Sequence, residues 1–274
     1  MSLDIGDALR SGVDDLLSET GVLVGGVVLL YSLGALVANE TLGDALLTLM
    51  FESGVYSTAQ QEAIQSFGGG TPFSLGVGLA IAAALAVVVT ALGELVRFWA
   101  IRQFAGPGET KLPASDRAAM ALLLGGTVAV LLLFFQQVLP IAGQLGGTAL
   151  GIVGSIVGPI GGLVLLTVFV YLRQEIALGE GGVLATLRRS FARFMDDPVS
   201  IIVLMVVLGI AGFAASVPTF AIGFLGGSSS VGGLSLTVVS RLLSTLLGVV
   251  FQTLGIAVVT DAYLQVRASS ESSL

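Results

Sequence analysis

The stretch "GVLATLRRSFARFMDDP", residues 182–198, separates two long apolar runs at 146–178 and 199–225. It holds three arginines, Arg188, Arg189 and Arg193, within six residues. Val183, Leu184, Leu187, Phe191, Phe194 and Met195 recur at helical spacing and share one face, with the arginines mainly off it. Asp196, Asp197 and Pro198 close the segment, because a residue before proline avoids the helical region. Such a helix between two membrane-length runs reads as lying in the membrane plane, greasy face toward the lipid and arginines among the phosphates. Each arginine there is worth roughly 1 kcal/mol at ordinary salt. In molar salt, screening leaves apolar burial as the main anchor.

Working outward, a helix needs about 20 apolar residues to cross the hydrocarbon. Six runs meet that length: 20–38, 73–104, 117–139, 146–178, 199–225 and 236–266. The chain is 55% hydrophobic and only 11% charged, with a mean hydropathy of +1.01, where soluble domains carry about 25% charged residues. The expected fold is therefore all-α: a single polytopic membrane domain over 1–274 with six transmembrane helices. Arg10, Arg97, Arg102, Lys111, Arg117, Arg173, Arg188, Arg189, Arg193 and Arg267 all fall on one side of a six-span chain, and only Arg241 falls on the other. The positive-inside rule then predicts a multi-pass protein of the cell membrane with both termini cytoplasmic. The acidic start, 1–19, lacks the basic n-region of a signal peptide and reads as a cytoplasmic amphipathic helix over Leu3 to Ser18. Residues 39–72 read as an outer loop with a short interfacial helix near Leu42, and 183–197 as the cytoplasmic interfacial helix.

What the chain lacks narrows its chemistry. It has no cysteine and no histidine, which removes disulfides, thiolate or imidazole metal sites, and Ser-His or Cys-His catalysis. No metal, cofactor or catalytic residue is expected. The net charge of −7 leaves no basic surface for nucleic acid. The acidic, arginine-over-lysine, alanine- and glycine-rich composition is that expected of a salt-loving archaeon, and a GC-rich genome produces the same bias.

The ends "FWAIRQF" (98–104), "VYLRQEI" (170–176) and "AYLQVRA" (262–268) are alike, which reads as three two-helix repeats. The run "VYLRQEIALGEGGVLATLRRSFARFMDDPVSIIVLMVVLG", 170–209, resembles a pattern seen in six-span families, carried by Glu175, Gly179, Glu180, Gly181, Leu187, Arg188, Ser190 and Asp197. It is similar in layout to the membrane domain attached to bacterial glycerophosphoryl diester phosphodiesterases, and closer to a haloarchaeal six-span membrane family without assigned chemistry. Phe191 stands where that pattern has an aromatic, usually Trp, and Asp196-Asp197 where it often has Asn. The resemblance implies an integral membrane protein. The diesterase activity of the fused enzymes belongs to a separate soluble domain.

Charged residues within apolar runs are the best pointers to function. Glu94, Arg97, Arg173, Glu175 and Asp261 fall near the cytoplasmic ends of three spans and are expected to form one inner-leaflet polar cluster, with Glu94 and Arg97 paired at a three-residue step. Arg241 is expected to snorkel at the outer end. Gln252 is the strongest polar residue left near the midplane. Gly147, Gly151, Gly154, Gly158 and Gly162 form a small-residue face for helix packing, beside a kink at Pro159. The function expected is a non-enzymatic membrane protein organising lipid or a protein partner at the inner leaflet, through Arg188, Arg189, Arg193, Phe191 and Phe194. The partners are membrane lipids, and a membrane protein or a second copy of the chain. A small-solute transporter or permease is the alternative, read from the glycine-rich span and Gln252.

Overall fold

The computed structural model describes residues 3–54, 56–62, 71–109, 113–135, 148–214, 216–217, 221, 230–231 and 234–271. The helices are α1 (Ile5–Leu17), α2 (Glu19–Glu52), α3 (Leu79–Ala105), α4 (Ala114–Leu133), α5 (Thr148–Val168), α6 (Leu172–Leu178), α7 (Val183–Asp196), α8 (Pro198–Ala214) and α9 (Leu236–Glu271). A two-residue antiparallel pairing, Ser230–Val231 with Leu234–Ser235, precedes α9.

Among the described residues five helical stretches are long and apolar enough to cross a membrane: Glu19–Glu52, Leu79–Ala105, Ala114–Leu133, Ile160–Leu178 and Leu236–Ser269. The pair α7 and α8, bent by 94°, passes the same test when taken together. Large apolar side chains face outward along these helices, with Leu30, Leu123 and Ile210 each about 70% exposed. Glu94, Gln174 and Glu175 are buried. Grease outside and charge inside is the inverse of a soluble protein, and it is the build of a membrane protein.

The end of the molecule where α1 lies is called proximal here, and the opposite end distal. Asp4 caps α1 by accepting from Asp7 N–H (3.0 Å), and Ser18 caps α2 by accepting from Gly21 N–H (3.1 Å). The chain turns sharply between these helices. α1 then lies along α9, where a Cβ on Gly12 would collide with Val258. The main core sits at this proximal end, around Phe98, Ile101, Tyr171, Ile176, Leu204 and Tyr263.

Several boundaries differ from those expected. α2 does not stop at Ala38 but runs 34 residues to Glu52, so the first part of the expected 39–72 loop is helix. No breaker interrupts it, and its polar groups are satisfied by the returning chain. Glu40 accepts from Phe73 N–H (2.9 Å), Thr41 accepts from Leu75 N–H (3.1 Å), and Ser74 donates to Asp44 (2.8 Å). Held in this way, 71–78 stays non-helical and α3 begins at Leu79 rather than Phe73. The fourth span is helical through Pro159 but breaks at 169–171 before restarting at Leu172. α4 contains a π turn, Ala121–Gly125, and the expected stretch 136–147 lies outside the described residues. A helix, α7, covers Val183–Asp196 within the expected 183–197. Asp197 ends α7 and caps α8 by accepting from Ser200 N–H (3.2 Å), with Pro198 as the first residue of α8.

Candidate functional site

Glu94 and Arg97 stand one turn apart on α3, and the helix restart at Leu172 brings Arg173 opposite them. Glu94, only 2% exposed, accepts from Arg97 Nη1 (2.6 Å) and from Arg173 Nε and Nη2 (2.8 Å each). Both carboxylate oxygens are used, and the Arg173 contact is bidentate. The π turn of α4 brings Gly125 against this carboxylate, where a Cβ would lie 2.9 Å from Oε2. Two irregular helical segments thus frame the pair, and such irregularities gather at functional sites.

Glu175 is fully buried and forms a second knot. It accepts from Arg189 Nε (3.0 Å) and Arg193 Nε (2.5 Å), and Arg189 also donates to the Glu180 carbonyl. Arg193 stacks over the Tyr263 ring at 4.6 Å, and Tyr263 meets Tyr171 edge-on at 5.8 Å. Gly179 lies so close that a Cβ there would sit 2.6 Å from the Glu175 carbonyl, and Gly181 takes a positive φ of 89° in the turn that follows. The turn before α7 therefore owes its glycines to backbone geometry.

This corrects the expectation for α7. Arg189 and Arg193 do not range outward with Arg188 but pair with Glu175, on the same face as buried Thr186 and Ser190, with Arg189 still 37% exposed. A buried carboxylate in an apolar surround needs cations, and these two are the nearest available. The opposite face of α7 presents Leu184, Phe191 and Met195 outward, with Arg188 exposed beside them. Phe194 and Leu187 pack against the core.

Asp261 does not join Glu94 or Glu175. It sits in the seam between α9 and α1, accepting from Ser11 Oγ (3.3 Å) and Gln265 Nε2 (2.9 Å). Asp15 shares that seam, and burial, with help from Asp261 and Asp14, raises its pKa. The expected five-residue cluster is thus three separate groups, because Asp261 lies on a face of α9 that α1 covers. Asp197 behaves oppositely to Asp15. Burial alone would raise its pKa, but hydrogen bonds from Ser200 and from Leu3 N–H (3.3 Å) outweigh that and lower it.

At the distal end Arg241 does not snorkel. Its Nε lies 3.2 Å from Glu40 Oε1, a charge contact with a carboxylate that is itself 7% exposed. The expected packing glycines Gly151, Gly154, Gly158 and Gly162 lie on α5, where Gly162 is buried, and Gly147 lies outside the described residues.

A cleft of about 180 Å³ opens between α3, the α5–α6 break, α8 and α9. Arg97, Arg173, Gln174 and Gln252 supply its polar lining, with Val170, Met205 and Ile256 among its apolar walls. Gln174 is only 3% exposed, and its Oε1 and the Nε2 of Gln252 have no hydrogen-bond partner among the described residues. Sequence reading singled out Gln252 but missed Gln174, whose place beside Arg173 in "LRQE" was the available signal. Glu40 was missed as well. Its signal was that a lone distal arginine inside an apolar run needs an acid. Among the described residues no group of three or more acidic side chains is arranged to hold a metal ion. Comparison with protein-family models, curated proteins and solved structures gives no match.

Proposed function

We propose that this chain is a six-span, non-enzymatic protein of the cell membrane, with both termini cytoplasmic, that organises lipid at the inner leaflet. The observation that carries the reading is α7, whose polar face is consumed by Glu175 while Leu184, Phe191 and Met195 face outward beside exposed Arg188. A helix with two of its arginines turned to a buried acid and its apolar side unpaired is an apolar plate set against acyl chains. The crossing pattern draws support from the basic residues, which among the described residues all sit in proximal segments save Arg241. The sixth crossing is α8, entered through the 94° elbow at Asp197. The layout likeness to the haloarchaeal six-span family, carried by 170–209, belongs to this same reading.

The test is lipid retention. The protein is reconstituted in vesicles containing spin-labelled phosphatidylglycerol, and the motionally restricted lipid fraction is measured. Replacing Leu184, Phe191 and Met195 together with Ser is expected to lower that fraction, and an unchanged fraction contradicts the reading. A membrane-protein partner or a second copy covering α7 would show instead as restricted lipid that rises when the partner is removed.

The break at 169–171, beside the cleft, favours a second reading as a small-solute permease. Proteoliposomes that show no flux of small solutes end it. Flux that survives Gly158→Leu in folded protein removes the role read from the α5 glycines.

A further inference from the structure

We propose that the cleft between α3, α6, α8 and α9 is a binding site for one oxyanion, a phosphate diester or carboxylate, entering beside the Glu94 knot. This goes beyond the role of α7, since it concerns an internal site that α7 does not line.

The charge balance comes first. Glu94 is one negative charge held by two arginines, so the knot carries one excess positive charge in a low-dielectric surround. The carboxylate occupies Arg97 Nη1 and Arg173 Nε and Nη2. Arg97 Nε and Nη2 and Arg173 Nη1 make no hydrogen bond among the described residues, and both arginines line the cleft with about a quarter of their side-chain surface open. An uncompensated cation within an apolar interior is costly, and a bound anion offsets that cost.

The second observation is independent of charge. Gln252 Nε2 is a buried donor without an acceptor, and Gln174 Oε1 a buried acceptor without a donor, both on the lining of the same cleft. A buried orphan group costs about 1–3 kcal/mol, so two at one cleft point to a missing ligand. An oxyanion satisfies the Gln252 amide together with the free guanidinium N–H groups. A hydroxyl or N–H on the same ligand satisfies Gln174. The volume of about 180 Å³ far exceeds the ~10–15 Å³ that holds one water, and it falls below the ~300 Å³ floor of drug-sized sites. The site therefore takes a headgroup or a short acid, and any acyl chain lies outside.

Gly255 lines the cleft, and a Cβ there meets nothing within 4 Å, so Gly255→Leu starts a side chain in open space beside the site. Gln252→Leu removes the orphan donor while leaving every ion pair in place. Purified full-length protein is titrated in detergent with short-chain phosphatidylglycerol, inorganic phosphate and diacylglycerol of equal chain length, followed by native mass spectrometry. Saturable phosphatidylglycerol binding, weakened tenfold or more in both variants, supports the site with a lipid as the source. Phosphate binding weakened in the same way supports it with a free anion as the source. No saturable binding of either anion, or binding equal to that of diacylglycerol, overturns it, as does binding unchanged in the variants. If Gly255→Leu fails to fold, Gln252→Leu alone decides. The α7 serine variant is expected to bind as the parent does, so failure here and failure of the α7 reading are separable.

Discussion

Glu175 and Glu94 each hold two arginines, but in different surroundings, and the difference is measurable. Glu175 is fully buried between Arg193, 15% exposed, and Arg189, 37% exposed, and does not line the cleft, whereas both arginines on Glu94 do. Removing one partner of a buried pair costs about 3–5 kcal/mol, because the other charges stay buried. Glu175→Gln is therefore expected to lower the apparent unfolding temperature in detergent more than Glu94→Gln, and Arg188→Gln to leave it nearly unchanged. Equal losses for the two glutamates would contradict the burial argument. The aspartates separate by pH. The lowered pKa of Asp197 means its contribution is complete above the ordinary carboxylate range and is lost as pH falls through its folded value. Asp197→Asn should flatten the acid limb of the stability curve. Asp15 has the opposite sign, since its raised pKa makes the charged form unfavourable in the fold. Asp15→Asn should stabilise the protein at pH 7, and the gain should vanish below about pH 4, where both states are protonated.

At the scale of elements, irregular helix marks where backbone and carboxylate meet. A Cβ on Gly179 would press the Glu175 carbonyl at 2.6 Å, whereas one on Gly125 would meet the Glu94 side chain, nearest at Oε2 (2.9 Å), and no backbone atom as close. Gly179→Ala is expected to destabilise more than Gly125→Ala. Gly255→Ala should be neutral or stabilising by up to about 1 kcal/mol through helix propensity, and thermal unfolding of the three variants ranks them. The long apolar helices were legible in the sequence because hydropathy over some 20 residues is a local property. α7 was legible too, from its spacing and the Asp197-Pro198 stop. The direction of its arginines was not, because periodicity separates faces without saying which one meets protein. The three-way split of the expected polar cluster was hidden for a similar reason. Depth along each helix placed Asp261 level with Glu94 and Glu175, but only packing decides that α1 covers it. The run-on of α2 to Glu52 depended on acceptors for Phe73 and Leu75 about 33 residues away, which no local pattern carries.

For the whole molecule, the proposed orientation has proximal charge and both termini in the cytoplasm and the Glu40–Arg241 contact outside. The chain has no native cysteine, so single cysteines report cleanly. Cysteine at exposed Gln60 should react with an impermeant maleimide from outside whole cells, and cysteine at exposed Ser115 only after lysis. The central claim is that α7 turns its charge inward and its apolar face to inner-leaflet lipid. The most direct test is nitroxide accessibility at Phe191, Met195, Thr186 and Ser190 in lipid vesicles. High access to oxygen with low access to a water-soluble nickel reagent at Phe191 and Met195, and low access to both at Thr186 and Ser190, is the predicted result. High nickel access at Phe191 and Met195 would place that face in water and contradict the account.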